Sequence, residues 1–314
     1  MSSIAHAVPN PGFITSLFGS ARPNAQERIP LPGRISRFDN LAVQLEANSG
    51  TYWCYMHPQE RPSFTPALLA DLADMQRSIV DMFSTDDAPL RYYVLASRLP
   101  GIFNLGGDLS VLASRIRNQD RAGLARYAKA CIDVLYTNCI SFDRPVVTIA
   151  LVQGDALGGG FEAALSCDII VAERGTRFGF PEVLFNLFPG MGAYSFLARR
   201  LGSAQAEKII LSGRVYTAEE LLEIGVVQVL AEPGSGEQAV RELIGRTGRR
   251  HNAQNSVFRV GRCVAPLTYE ELQQIADIWV NSALGLAESD LRKMERLTAA
   301  QNRRWSGQEI AAAG

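Results

Sequence analysis

The sequence predicts an α/β fold in which alternating strands and helices are followed by a mostly helical part. Three observations carry that reading. Residues 145–152 (PVVTIALV) form a continuous apolar run, as expected of a strand buried on both faces of a parallel sheet. That run passes through a glycine-rich turn directly into a helical pattern at 161–167. Beyond residue 235 the apolar residues recur at helical spacing, interrupted by Pro266.

The elements follow in order. Residues 1–36 are rich in Pro, Gly, Ser and Asn, show little periodicity and read as a loose arm. Apolar stretches 41–45 and 51–56, separated by Asn48-Ser49-Gly50, read as a β-hairpin. Pro58, Pro62 and Pro66 punctuate a loop, and the spacing of Leu68, Leu72, Met75 and Ile79 predicts a helix over 67–83. A buried-type strand is expected at 90–97, a loop at 100–108, and helices at 109–117 and 121–141, with Asp143-Arg144 capping the end. After the central strand and its glycine turn come a helix at 161–167 and a strand at 168–172. Helices at 192–201, 204–212 and 217–224, a short strand at 226–230 and helices over 235–305 complete the chain. The expected division is an arm (1–36), an α/β core bearing the site (37–234) and a helical region (235–314).

Composition narrows the function. The 314 residues carry 31 Lys+Arg against 32 Asp+Glu, a net charge of -1, without the basic excess of a dedicated nucleic-acid binder. No apolar run approaches the ~20 residues of a membrane span, and no basic-then-apolar leader is visible, so the simplest address is the cytoplasm. Five cysteines without C-x-x-C argue against a disulfide framework or a zinc site. His6, His57 and His251 lie far apart outside any H-E-x-x-H, and G-x-S-x-G is absent; no metal is expected.

The chemistry concentrates at two turns. Gly158-Gly159-Gly160 opens a helix, where amide N–H groups lack helical acceptors and can meet an oxyanion; tight strand–helix packing explains the same glycines equally well. Asn104-Leu105-Gly106-Gly107-Asp108 also follows a strand and could supply a second N–H, with Asp108 capping the next helix. Phosphate binding loses ground, because both G-x-G-x-x-G and the P-loop lysine are missing. Glu162 and Glu182 each have apolar neighbours, which suggests partial burial and raised carboxyl pKa values, as acid–base work requires.

Taken together, Gly154-Asp155-Ala156-Leu157-Gly158-Gly159-Gly160-Phe161-Glu162, Cys167-Asp168-Ile169-Ile170, Phe178-Gly179-Phe180-Pro181-Glu182 and Pro189-Gly190-Met191-Gly192 resemble the crotonase (enoyl-CoA hydratase/isomerase) superfamily over about 40–240. The resemblance implies a crotonase-like spiral of ββα repeats with a C-terminal helical trimerisation region, a homotrimer or hexamer, and a thioester substrate. It places an oxyanion hole at the amides of Gly107 and Gly159 and the acid–base pair at Glu162 and Glu182. Within the superfamily, Phe161-Glu162-Ala163-Ala164-Leu165, the run from Gly179 to Gly192 and the loop from Phe103 to Leu109 are similar to the diffusible-signal-factor synthases. Those enzymes dehydrate a 3-hydroxyacyl chain on acyl carrier protein to a cis-2-enoyl thioester and hydrolyse it to a free fatty-acid signal. The long arm and Cys167-Asp168-Ile169-Ile170 depart from them towards general crotonases.

On that reading the acyl tail meets Leu157, Phe161, Phe180, Leu184, Phe185, Leu187 and Met191. No cofactor is needed beyond the substrate's own carrier, acyl carrier protein or CoA. Arg249-Arg250 and Arg303-Arg304 are candidate carrier contacts, or simply solvated helix faces. The alternatives are an enoyl-CoA hydratase or isomerase, and an idle crotonase-fold protein that binds a partner such as a sensor kinase.

Overall fold

The computed structural model describes residues 37–83 and 90–299 and the backbone of Arg28 and Ile29. The remainder of the expected arm, and Arg303-Arg304, lie outside the described residues. Within the arm, β1 (Arg28–Ile29) pairs antiparallel with β2 (Leu41–Glu46), so part of it is an edge strand.

The expected hairpin is present as β2 against β3 (Thr51–Met56). Helix α1 (Pro66–Met82) starts where Thr65 accepts a hydrogen bond from Leu68 N, with Pro66 at the first helical position, and buries Leu68, Leu72, Met75 and Ile79. From β3 onward the pairing becomes parallel through β4 (Tyr92–Ser97), β6 (Val147–Val152), β8 (Ile169–Glu173) and β11 (Val229–Ala231). All six residues of β6 are buried, as its run of apolar residues around Thr148 predicts.

A second, four-stranded sheet runs in the order β10 (Val215–Thr217), β9 (Arg177–Gly179), β7 (Asp155–Leu157), β5 (Ile102–Asn104). Sequence reading leaves these three-residue strands as loops, because three residues are too few to show period-2 alternation. They complete the spiral. β4–β5 leads to α2 (Leu109–Arg117) and α3 (Arg121–Cys139), and β6–β7 to α4 (Gly159–Leu165). β8–β9 leads to a 3-10 turn at Pro181–Phe185 and α5 (Ala193–Leu201). Each repeat thus gives one strand to each sheet. Then come α6 (Ser203–Ser212), α7 (Ala218–Glu223), α8 (Gly236–Thr247), α9 (His251–Val264), α10 (Tyr269–Leu284) and α11 (288–299).

One local expectation is corrected. Asp143-Arg144 does not cap a helix: α3 ends at Cys139, and Ser141, Phe142 and Asp143 have φ of 54°, 59° and 53°. A left-handed turn costs L-residues roughly 1–2 kcal/mol each. Packing offsets it, since Phe142 is buried edge-on against Tyr93 at 4.9 Å. Among the described residues no helix is long and apolar enough to cross a membrane.

Candidate active site

The two glycine turns meet. Both lie at the ends of strands of the small sheet, β5 and β7, which pair in parallel, so their C-terminal turns emerge side by side. A Cβ built on Gly106 would come within 2.9 Å of Leu157 O and 3.0 Å of Gly159 N. Gly159 is the first residue of α4, so its N–H has no carbonyl one turn earlier to bond. The 104–108 loop is held on its other side: Asn104 Oδ1 accepts from Gly106 N at 2.8 Å, and Phe64 N donates to Gly106 O at 2.7 Å. Asp108 caps α2 through Val111 N, as expected, and pairs with Arg61 at 3.0 Å.

Gly107, Gly159, Glu162 and Glu182 line one pocket that opens in part to solvent. Its wall is otherwise mostly apolar and includes Leu109, Leu112, Phe185, Leu187, Met191 and Trp279.

The two carboxyl groups are held differently. Glu162, in the first turn of α4, is buried. Its Oε1 accepts from Met191 N at 2.7 Å and Ala193 N at 2.9 Å. Gly192, between those donors, has φ 125°, a conformation that glycine alone adopts freely and that turns both amides towards one oxygen. Burial raises the Glu162 pKa to about 7, against the pull of these amides. Glu182 sits in the 3-10 turn after β9, and its Oε2 is buried without a hydrogen-bond partner among the described residues. Burial first, and then the charge of Glu162, push its pKa up to about 8. Glu162 is therefore the first to ionise and Glu182 the last to lose its proton. An unpartnered buried carboxyl oxygen is costly unless it is protonated or meets a reactant.

Of the seven residues expected along the acyl tail, Phe185, Leu187 and Met191 line the pocket. Four do not, which corrects the expectation. Phe161 of α4 stacks on Phe180, which follows β9, at 4.9 Å in the core and meets Phe178 edge-on, so both rings pack against β9 and the residue after it rather than line the pocket. Leu157 packs with Leu99, Ile102 and Leu105, since β7 alternates sides at each residue. Leu184 points outward and is 54% exposed. Arg249 and Arg250 are exposed in a 3-10 turn and are not among the pocket-lining residues.

Sequence reasoning missed Tyr127, Ala128 and Cys131 of α3, Leu109 and Leu112 of α2, and Trp279 of α10. Helical periodicity marks such positions as inward-facing, but a core face and a pocket wall share the same pattern.

Comparison with known proteins identifies the family. Residues 56–256 match the enoyl-CoA hydratase/isomerase family model, and the chain belongs to that family. The mitochondrial methylglutaconyl-CoA hydratase of Mus musculus is 32% identical over 179 residues, 57% of this chain and 54% of that protein. The 2,3-dehydroadipyl-CoA hydratase of Escherichia coli K12 is 36% identical over 125 residues, 40% of this chain and 46% of that protein. The chain thus spans about half the length of the curated relatives it matches. Among solved structures, Pseudomonas aeruginosa DspI is 26% identical with a TM-score of 0.59, covering 77% of this chain and 98% of that one. The enoyl-CoA hydratase of Bacillus halodurans, 21% identical with a TM-score of 0.68 over 82% of this chain and 98% of that one, shares the fold.

Proposed function

We propose that this chain dehydrates a 3-hydroxyacyl thioester carried on acyl carrier protein to a cis-2-enoyl thioester, then hydrolyses the thioester to release a free unsaturated fatty acid. The observation that carries the reading is the convergence of two carboxyl groups with raised pKa and two glycine turns on one apolar pocket. The particular substrate rests on the likeness of residues 103–109, 161–165 and 179–192 to diffusible-signal-factor synthases.

The amides of Gly107 and Gly159 would donate to the thioester oxygen. Charge grows on that oxygen as C2 loses its proton, so fixed donors there lower the barrier; one such donor is typically worth about 3–4 kcal/mol. Glu182 takes the C2 proton, the electron pair closes the C2–C3 double bond, and Glu162 protonates the C3 hydroxyl as it leaves as water. In the second step Glu162 holds a water that attacks C1, and the carrier thiol departs with a proton. Apolar side chains at 185, 187 and 191 receive the tail. Copies of the chain associate through the helical region; Val257, Val260 and Val264, exposed at i, i+3 and i+7 on α9, support this.

One observation favours a second reading, hydration of an enoyl-CoA. Glu162 accepts two amide hydrogen bonds and ionises first, whereas Glu182 keeps its proton longer. That resting state suits a charged Glu162 activating water and a protonated Glu182 delivering H⁺ to C2. Incubation with matched 3-hydroxyacyl carrier-protein and 2-enoyl-CoA substrates separates the two. Free acid released from the carrier protein supports dehydration with hydrolysis, and reversible water addition to the CoA ester supports hydration. A protein that alters neither substrate is outside both.

A further inference from the structure

We propose that Tyr127 is a positioning residue whose hydroxyl sets the Gly107 amide in the catalytic pocket; this rests on the thioester reading above. Phe64 and Gly107 form an isolated parallel β-bridge. Such a bridge has two hydrogen bonds, from the N–H of one residue to the carbonyl before its partner, and from the N–H after the partner back to the first residue's carbonyl. Here the first is direct, Phe64 N to Gly106 O at 2.7 Å. The second passes through a side chain: Asp108 N donates to Tyr127 Oη at 3.0 Å, and Tyr127 Oη donates to Phe64 O at 2.7 Å. The phenol hydroxyl is inserted into the backbone ladder as a relay.

The consequence falls on Gly107. Both peptide units flanking its Cα are fixed, one by Phe64 N and one by Tyr127. In a parallel bridge the central residue's own N–H points away from the partner strand, here away from Phe64. Gly107 and Tyr127 both line the pocket, and a Cβ on Gly107 would lie 3.4 Å from Tyr127 Oη. The relay fixes the Gly107–Asp108 peptide, and with Phe64 N holding Gly106 O on the other side it limits, through the Gly107 Cα, the rotation of the Gly106–Gly107 peptide whose N–H would meet the substrate oxygen. Only a group that both accepts and donates can fill it, which a tyrosine hydroxyl does while its ring anchors in α3. Burial holds that hydroxyl in its neutral form, well above the usual phenol range, so the relay persists at all working pH values.

The test compares wild type with Tyr127→Phe, which keeps ring and packing and removes only the relay. With a 2-enoyl-CoA substrate, kcat should fall at least tenfold while KM changes less than threefold. In parallel, the infrared carbonyl stretch of a bound saturated acyl-CoA, labelled with ¹³C at C1, should be shifted less from its solution value in the variant. A kcat within twofold of wild type, or a rise in KM alone, overturns the proposal, since wall contact by the ring predicts no more than that. Should Tyr127→Phe fail to fold, fluorotyrosine at 127 weakens the oxygen as an acceptor without altering shape; an intermediate kcat is expected, and an unchanged one overturns the relay. Wild type inactive on every thioester strikes at the proposed function instead, and the carbonyl shift then decides the role of Tyr127 alone.

Discussion

The carboxylate Oε1 of Glu182 lies against Gly158, so close that a Cβ at that position would overlap it. Gly158 also has φ 51°, and it immediately precedes the amide of Gly159. One residue thus sets the clearance of a candidate proton carrier and the direction of a candidate oxyanion donor. Gly158→Ala should destabilise the fold by about 1–3 kcal/mol, the usual cost of a side chain in a sparsely populated backbone region. Turnover should fall much further, by displacement of Glu182. Thermal melting beside a thioester assay checks both; a variant of wild-type activity would show that Glu182 need not occupy its observed place.

Replacing either acid tests the acid–base assignment. Glu162→Gln and Glu182→Gln keep side-chain size and should leave folded protein with turnover reduced about 10²–10⁴-fold, the range of general acid–base contributions. Circular dichroism reports the fold and steady-state assays the loss. Full activity in both variants would remove the carboxylates from the mechanism.

Turnover should depend on pH as a bell. On the proposed mechanism one of the two groups must be charged and the other protonated. With Glu162 at about 7 and Glu182 at about 8, that form of the pair prevails between those values. Rates should peak there and fall on both sides. In Glu162→Gln the residual activity should lose one limb, and the remaining transition should move below 8, because the neighbouring negative charge that raises Glu182 is gone.

Stability carries the same signature with a definite sign. Both carboxyls have folded pKa values above their ordinary 4.5, so between 4.5 and about 8 the folded chain holds protons that the unfolded chain releases. Their contribution to stability is therefore greatest in acid and declines as pH rises through this window. Glu182→Gln removes one such group. Relative to wild type the variant should gain stability with rising pH, by at most about 1.4 kcal/mol per pH unit. Denaturant titrations of both proteins at pH 5, 6.5 and 8 would show the curves diverging; parallel curves would contradict the burial of this carboxyl.

The pocket wall makes a separate prediction. Trp279 of α10 packs against Gly190, where any Cβ would overlap its side chain, and it lines the pocket. Trp279→Ala should cost about 3–5 kcal/mol, as large aromatic truncations do, and shift the preferred acyl substrate towards longer chains. A panel of thioesters of increasing length, assayed at a temperature where the variant is folded, reads the shift.

The sequence determined a good deal unaided. The all-buried strand β6 was legible because an apolar run broken only by Thr148, with no charged residue, has one reasonable location. The helices were legible from apolar spacing, and Glu162 and Glu182 from their places within recognisable motifs. Strands β5, β7, β9 and β10 were not, because each is only three residues long and gains its identity from its neighbour in the sheet. Tertiary structure alone decided which apolar residues face the pocket. Phe161 and Phe185 look alike as sequence, yet one stacks in the core and the other lines the cavity. The same holds for Tyr127 and Trp279, brought to the pocket from helices distant in the chain. Periodicity specifies that a side chain turns inward, but whether it meets packed atoms or empty space depends on how several helices converge, and no single segment encodes that.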